Sequence, residues 1–384
     1  MLSNRIKGIR KSIFYEYHNL VEEREKSGIK FYKLNMGQPD FDTSKIYFES
    51  LSSFRPKTNS YSEPAGLNSL RKSVSEYYNK NYNKNLDENN IVVTQGASDA
   101  VIKLLYCICD SDDEIILIEP FFADYGLYCD ILNIKIKTIN YNDIKNNNIE
   151  SVITKKTKAI LFANPNNPDG RIMDEDSINN IITTAKKHNL MIISDEVYSG
   201  LIYNDEYISL SDYLSNNVVV VDSASKKLNL CGSRIGYIIS NNKELIEQLT
   251  MFNDCRISIS NVEQYAVSNM LKEADKIIEK EKEIYKSRMN LVIKKLKGTK
   301  IKYDIPSGGI TMLLELPFNT KKYIEWLIKE YEKDKKTILV VPGDSFYASK
   351  EGKNKIRICL TSNNKDLEEA IDLLIDSCNK YRRK

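Results

Sequence analysis

Short apolar runs alternate with amphipathic stretches through the middle of the chain. The predicted strands are 91–94, 114–118, 134–139, 158–162, 191–194, 218–221 and 235–239, and the predicted helices include 67–81, 97–109 and 174–188. Strands that are apolar along their whole length, separated by helices, are typical of a largely parallel sheet covered on both faces. The pattern therefore predicts an α/β domain.

The pattern differs at both ends of the chain. Residues 1 to about 30 have apolar residues near helical spacing and are predicted as a helix that ends near Gly28, followed by a strand over 31–36. A long charged helix is predicted over 273–296, with two strands, 310–315 and 356–360, between later helices. We expect an N-terminal helix or arm (1–30) packed with the small domain, a large domain (31–280) and a small α+β domain (281–384).

The composition excludes several classes of function. The 384 residues include 56 basic and 53 acidic residues, with a net charge of +3, so no basic surface for nucleic acid or membranes is expected. No apolar run approaches the ~18 residues of a membrane helix. The first 17 residues are interrupted by charges, unlike a signal peptide.

The numbers of cysteine and histidine residues indicate the cellular location and the capacity for metal binding. The seven cysteines are odd in number and form no CxxC pair, which predicts reduced thiols and a cytoplasmic location. With only two histidines, a histidine-rich metal site or Ser-His-Asp catalysis is poorly supplied, and no metal is predicted.

Polar residues, glycine or proline follow almost every predicted strand. Examples are Glu119-Pro120, Asn164-Pro165 and Asp195-Glu196. Because ligands of open α/β sheets bind at the carboxyl ends of the strands, these loops predict one site assembled from many segments.

The segment 223–237 carries the most chemistry. Ser223 and Ser225 precede Lys226, and Arg234 lies between two glycines. Hydroxyl groups and a guanidinium suit a phosphate group, and a lysine among them suits a carbonyl.

Each further signal has an ordinary structural explanation when taken alone. Asp195 equally suits a strand-end cap or ion pair, Tyr198 a core aromatic, and 164–170 a simple turn. The glycine and small residues at 96–98 open a helix, which suits an anion or an ordinary cap.

Together and in this order, the segments resemble the class I aminotransferases that depend on pyridoxal 5'-phosphate, the fold-type I family. The family pattern Ser-x-Ser-Lys, five residues, Gly-x-Arg-x-Gly-Tyr is met by 223–237. Its Asn-Pro-x-Asn-Pro-x-Gly loop matches 164–170, and its Asp-Glu-x-Tyr matches 195–198. The resemblance extends from about Gly37 to Arg357 and implies a large cofactor-binding domain with a mostly parallel sheet and a smaller α+β domain.

The resemblance implies a role for each residue at the cofactor. Lys226 resembles the lysine that binds the cofactor covalently and then moves a proton, and Asp195 the partner of the pyridine nitrogen. Tyr198 and Asn167 resemble the pair that hydrogen-bonds the phenolic oxygen. The residues that resemble the phosphate site are Ser223, Ser225, Arg234, Ala97 and Ser98.

The resemblance also implies which residues contact the cofactor ring, the substrate and the neighbouring subunit. Phe122 resembles the aromatic residue that stacks on the cofactor, although phenylalanine equally suits the core. Tyr61 resembles the tyrosine that reaches the phosphate from the neighbouring subunit, which implies a homodimer with shared active sites. Arg357 resembles the arginine that binds the substrate α-carboxylate as a bidentate pair. Gly37 resembles the glycine whose backbone passes close to the substrate.

The implied reaction moves an amino group between an L-amino acid and a 2-oxo acid in two half-reactions. Arg256 suits a distal carboxylate or an exposed helix-end cation equally well, and on the first interpretation the segment resembles a bacterial aspartate aminotransferase subgroup that uses aspartate and glutamate. Ser98 stands where some aspartate enzymes carry a substrate lysine. Two alternatives stay open: a C–S β-lyase on the same scaffold, and a cofactor-binding regulator without enzymatic activity.

Overall fold

The computed structural model of the chain describes residues 3–203 and 206–381. Residues 1–2 of the predicted N-terminal arm and 382–384 of the predicted small domain lie outside them. The strands are β1 Lys30–Lys33, β2 Ile91–Thr94, β3 Glu114–Glu119, β4 Lys135–Asn140, β5 Thr157–Ala163, β6 Met191–Asp195, β7 Val218–Ser223, β8 Gly236–Ser240, β9 Lys302–Tyr303, β10 Thr311–Glu315, β11 Lys336–Leu339, β12 Val341–Pro342 and β13 Lys355–Cys359. The helices are α1 Asn4–Gly8, α2 His18–Lys26, α3 Lys45–Ser53, α4 Asn68–Tyr82, α5 Ala97–Ile108, α6 Asp124–Leu132, α7 Tyr141–Lys145, α8 Glu175–His188, α9 Ala224–Lys227, α10 Lys243–Asp254, α11 Asn261–Leu271, α12 Ala274–Leu296, α13 Thr320–Lys329 and α14 Asn364–Tyr381.

A seven-stranded sheet forms the centre of the molecule. Its strand order is β2-β8-β7-β6-β5-β3-β4, and β8 alone runs antiparallel to its two neighbours. The other neighbouring strands are parallel. The prediction of an α/β fold with a mostly parallel central sheet is confirmed.

Alternate residues of the central strands enter two separate hydrophobic cores. In β7, Val218 and Val220 pack into the core on one face, whereas Val219 and Val221 pack into the core on the other. Successive side chains of a strand point to opposite faces, so a strand covered on both sides must be apolar throughout. This is why the unbroken valine run predicts a central strand.

The C-terminal part contributes an antiparallel sheet of order β12-β13-β10-β9 and a parallel pair, β1 with β11. A third core lies here and includes Tyr32, Met289, Ile324 and Ile358. The division into large and small domains at residue 280 stays a prediction, and α12 crosses that position without a break. β1 belongs by its pairing to the C-terminal part.

The single helix predicted for residues 1 to about 30 is wrong. Helices α1 and α2 are separated by an irregular segment that contains a short 3₁₀ turn, Ile13–Tyr15. Long-range contacts hold this segment: the Arg10 side chain pairs with Asp130, and the Ser12 hydroxyl donates to Asp124. These tertiary contacts override the local helical pattern.

Candidate active site

A cavity of about 380 Å³ lies at the carboxyl edge of the central sheet. This volume falls within the range of about 300–1,000 Å³ that is usual for small-molecule sites. All of the predicted site residues except Tyr61 and Arg256 line it: Gly37, Ala97, Ser98, Phe122, Asn167, Asp195, Tyr198, Ser223, Ser225, Lys226, Arg234 and Arg357. The loops that follow β2, β3, β5, β6 and β7 supply most of them, as expected for a site at this edge of a parallel sheet.

Asp195 ends β6 and presents a buried carboxylate to the cavity. The hydroxyl of Tyr125 donates a 2.8 Å hydrogen bond to its Oδ2, and the amide of Val197 donates to Oδ1. Burial raises the pKa of Asp195 to about 6, while these two hydrogen bonds favour the charged form. The carboxylate is thus prepared to accept a proton donor from the cavity side.

Tyr125 is a site residue that the sequence analysis missed. It lies in the first turn of α6, three residues after Phe122, and the two rings meet edge to face at 5.4 Å. Because α6 begins at Asp124, after Phe122, helical spacing from Phe122 does not identify Tyr125, and its contact with Asp195 becomes apparent only in the folded chain.

The consecutive residues Lys226 and Lys227 lie in different environments. Lys226 Nζ lies in the cavity, where it donates to the Gly37 carbonyl oxygen at 2.6 Å and is 3.8 Å from Cys231 Sγ. Lys227 is fully buried and does not line the cavity, and its Nζ lies 2.6 Å from Asp222 Oδ2. Lys227 therefore anchors the end of β7, and Lys226 is the amine that faces the cavity.

A cluster of anion-binding groups occupies one side of the cavity. Ser223 at the end of β7 and Ser225 on α9 are buried, and α5 begins at Ala97. The guanidinium of Arg234 lies against Gly96, where an added Cβ would come within 2.4 Å of Nη2. Arg234 donates to the carbonyl oxygens of Cys231 and Gln95, and within the described residues no carboxylate pairs with it. Hydroxyls, a helix N-terminus and a cation without an anionic partner therefore meet at one place.

Arg357 is a fully buried arginine on β13. Its guanidinium is flanked by the rings of Phe14 and Phe346, at 4.8 and 5.4 Å from the ring centroids. It donates to the Asn35 carbonyl oxygen and, at 3.4 Å, to Asn167 Oδ1, while Nε has no hydrogen-bond partner. No carboxylate forms an ion pair with it in the part of the chain that the structure describes. Because an unpaired buried charge is costly, this geometry suits a carboxylate ligand.

Tyr198 and Asn167 are neighbours in the cavity lining. The Asn167 amide donates to the Tyr198 hydroxyl at 3.5 Å, a long hydrogen bond, and burial raises the pKa of Tyr198. Both polar groups retain hydrogen-bonding capacity for a ligand oxygen.

Gly37 lies beside the cavity, but protein packing does not by itself require glycine there. An added Cβ would meet Ile310, Cys359 and Tyr198 at 3.7 to 4.0 Å, which are ordinary contacts. Any need for glycine at this position must come from the ligand.

Two predicted site residues lie away from the cavity of their own chain. Tyr61 is 78% exposed on the loop before α4. Arg256 donates to Asp99 Oδ2 at 2.5 Å and to the Val93 carbonyl oxygen at 3.2 Å, so its observed partners are intramolecular. Their proposed contacts to cofactor and substrate stay predictions.

Among residues 3–203 and 206–381, no group of three or more His, Cys, Asp and Glu side chains is arranged to hold a metal ion. No helix in the same ranges is long and apolar enough to cross a membrane.

Fold and cavity together define a transferase of the pyridoxal-phosphate type, and comparison with known proteins gives the family. The profile of the family described as aminotransferase class I and II matches residues 29–374, so the chain belongs to this family. The protein is therefore an aminotransferase that depends on pyridoxal phosphate, as the sequence resemblance implied.

Individual relatives are similar over essentially the whole chain. An aspartate aminotransferase of Thermotoga maritima is 28% identical over 387 residues, which cover 99% of this chain and 100% of the relative. A crystal structure of aspartate aminotransferase from Thermotoga maritima has a TM-score of 0.89 at 27% identity, covering 98% of this chain and 100% of that one. A (5-formylfuran-3-yl)methyl phosphate transaminase of Methanocaldococcus jannaschii is also 28% identical, over 384 residues, with 99% and 100% covered. Relatives of equal similarity thus carry different substrate names.

Proposed function

We propose that the cavity is the active site for amino transfer between an L-amino acid and a 2-oxo acid. The observation that carries the proposal is that the Lys226 amine, the Asp195 carboxylate and the unpaired Arg357 guanidinium face one cavity. These donors and acceptors fit pyridoxal phosphate, because they offer a proton acceptor, an amine and a cationic cluster at separate points. When bound, pyridoxal phosphate supplies an aldehyde that bonds amines and a ring that withdraws electrons from the substrate Cα.

The residues nearest the ring hold and move protons. Asp195 keeps the ring nitrogen protonated, supported by the hydrogen bond from Tyr125. Lys226 moves the proton at the substrate Cα, since its amine already reaches into the cavity as far as Gly37. Tyr198 and Asn167 donate to the ring oxygen, for which their long mutual hydrogen bond leaves them available.

The remaining residues bind and orient. The phosphate group is held by Ser223, Ser225, Arg234, Ala97 and Ser98, as the cation without an anionic partner and the helix N-terminus favour. Phe122, which lines the same cavity, would stack on the ring. Arg357 binds the α-carboxylate, which supplies the anion that its buried guanidinium lacks.

We further propose a homodimer in which Tyr61 completes the phosphate site of the partner chain. The support is that Tyr61 is largely exposed and lies outside the cavity of its own chain. Mixing Tyr61→Ala and Lys226→Ala chains tests this, because one of the two sites in a mixed dimer would then be intact. Recovery of activity on mixing supports shared sites, and its absence from confirmed mixed dimers contradicts them.

A cytoplasmic location is proposed from the thiols. All seven cysteines are free in the structure, including Cys107 and Cys109, which are only two positions apart. Thiol titration of protein from fractionated cells would test this; disulfide-linked protein outside the cytoplasm would contradict it.

The function is tested with a panel of amino donors and 2-oxoglutarate, monitored at the absorption bands of the cofactor. The cofactor absorption of the wild-type protein is expected to change when the amino donor is added and to return when the oxo acid is added. Lys226→Ala is expected to lose turnover by at least about 10³-fold. Full activity of Lys226→Ala would contradict the proposal. Pyruvate release from cystathionine without an oxo acid would indicate the lyase instead.

The preference for aspartate and glutamate stays a prediction that rests on Arg256. In the same panel, Arg256→Ala should weaken aspartate far more than alanine or phenylalanine if the residue binds the distal carboxylate. Equal losses for all donors would remove Arg256 from that role.

A further inference from the structure

One side of the cavity is formed by the N-terminal segment and the first turn of α6. We call this surface, made of Phe14, Tyr15, Phe122 and Asp124, the outer wall. It is held together by the hydrogen bond from Ser12 Oγ to Asp124 Oδ1, at 3.0 Å, and by the stacked rings of Phe14 and Phe122, 5.8 Å apart. Phe14 also contacts the Arg357 guanidinium. The outer wall therefore adjoins the place proposed for the α-carboxylate and borders the space for the substrate side chain.

The charges around the cavity are unevenly distributed. Its basic lining residues are Lys226, Arg234 and Arg357, and the proposed function uses each of them for cofactor or α-carboxylate. Its acidic lining residues are Asp195, which serves the cofactor ring, and Asp124. The described lining therefore contains no further cation that could pair with a second substrate carboxylate. The outer wall instead contains the carboxylate of Asp124.

Asp124 is only partly satisfied by the protein. Oδ1 accepts from Ser12, whereas Oδ2 has no hydrogen-bond partner among the described residues, and no ion pair joins Asp124 to Arg357. Burial raises the pKa of Asp124, while the Ser12 hydroxyl and the nearby positive charge of Arg357 favour the ionised form. The free oxygen can accept a hydrogen bond from a substrate.

We propose that Asp124 is a specificity-determining residue that favours substrate side chains with a hydrogen-bond donor and disfavours a second carboxylate. The inference rests on the proposed function and names the substrate class of the same site. It differs from the preference for aspartate and glutamate predicted from the sequence, so one set of measurements decides between them.

Succinate and succinamate form a matched pair for the test, because they differ only in a carboxylate replaced by an amide and neither carries an amine. Their dissociation constants are measured by calorimetry on the cofactor-loaded protein. The wild type is expected to bind succinamate at least about tenfold more tightly than succinate. Two like charges a few ångströms apart in a partly buried site repel each other by more than the free energy that corresponds to a tenfold change in affinity. Asp124→Asn is expected to bring the two constants within about threefold of each other.

Ser12→Ala is the control, because it removes the hydrogen bond within the outer wall and keeps the charge of Asp124. It should retain the preference for succinamate. The inference is overturned if the wild type binds both ligands equally or prefers succinate, or if Asp124→Asn changes both constants by the same factor. It is also overturned if Ser12→Ala abolishes the preference, since Asp124 would then act by positioning the segment.

Measurements of turnover distinguish a failure of this inference from a failure of the proposed function. The ratio of kcat/KM for glutamine and glutamate should fall at least about tenfold in Asp124→Asn. Turnover with an unchanged ratio overturns only the role of Asp124. Absence of turnover with every amino donor overturns the proposed function and this inference together.

Discussion

The Tyr125 hydroxyl donates a 2.8 Å hydrogen bond to the Asp195 carboxylate, and both side chains are buried in the lining of the cavity. The two residues come from α6 and β6, 70 positions apart in sequence. Because burial raises the pKa of Asp195 to about 6, this hydrogen bond helps to keep the carboxylate charged at neutral pH.

Tyr125→Phe should therefore move the pH dependence of cofactor binding. In the cofactor-free wild type, affinity for pyridoxal phosphate is expected to fall as the pH decreases through about 6, where Asp195 becomes protonated. Loss of the phenol removes a group that favours the charged form, so the midpoint should rise by about 0.5–1 pH unit. Spectroscopic titration at several pH values measures it. Tyr128→Phe, a neighbouring cavity residue, is the control, and an identical midpoint in Tyr125→Phe would contradict the expectation.

Arg357→Lys should weaken substrate binding although it preserves the charge. An ammonium cannot form the planar bidentate pair, so KM should rise about 10- to 100-fold for all α-carboxylate donors, with a smaller effect on kcat. Steady-state kinetics with three unrelated donors measures the change. Arg171→Lys, an arginine outside the cavity that pairs with Asp169, should leave KM unchanged. An unaltered KM in Arg357→Lys would exclude Arg357 from carboxylate binding.

The buried pair of Lys227 and Asp222 should couple strongly in stability. Asp222 also accepts from Tyr78 and Tyr237, so Lys227→Met leaves a buried carboxylate with neutral donors only. That variant should lose about 3–5 kcal/mol of unfolding free energy, because an unpaired buried charge remains. The double variant Lys227→Met/Asp222→Asn should be more stable than the sum of the single effects by at least about 1 kcal/mol. Urea denaturation of cofactor-free protein measures the cycle, and additive effects would show that the pair is not coupled.

Glu281→Gln should stabilise the protein at high pH. Burial on α12 raises the pKa of Glu281 to about 8, and Oε2 has no hydrogen-bond partner. The folded state thus binds a proton more tightly than the unfolded chain, so this group contributes stability below its ordinary pKa that is lost as the pH rises through about 8. Glutamine cannot ionise, so the variant should gain on the order of 1–3 kcal/mol over the wild type near pH 9 and little near pH 4.5.

Denaturation at both pH values tests this expectation, with Glu283→Gln, an exposed position on the same helix, as the matched control. A difference between Glu281→Gln and wild type that does not change with pH would contradict it.

The central sheet was predictable because its strands carry their own signal. The valine run of β7 is apolar at every position, which only a doubly covered strand requires. The conformation of the segment before α2 was not predictable, because it depends on contacts with α6. Arg10 contacts a residue 120 positions away, and Ser12 contacts a residue 112 positions away. Local spacing of apolar residues contains no information about such distant partners.

The same distinction applies to the site. Lys226, Asp195 and Arg357 lie in recognisable sequence patterns, and each faces the cavity. Asp124 and Tyr125 enter it through the orientation of α6, which spacing alone did not reveal. For Arg256 the sequence shows a cation, but its partner Asp99 is 157 positions away and becomes apparent only in the folded chain.

The main chain at Gly236 packs directly against the main chain at Gly96, next to Arg234. A Cβ on Gly236 would come within 2.5 Å of the Gly96 carbonyl carbon, and one on Gly96 would collide with Arg234. No side chain can be introduced at either position without displacing the main chain at the start of α5 or the arginine. The N-terminal side of the outer wall is not subject to this constraint, and a library confined to residues 12–15 and 124 would alter substrate choice while leaving the residues proposed for the cofactor intact.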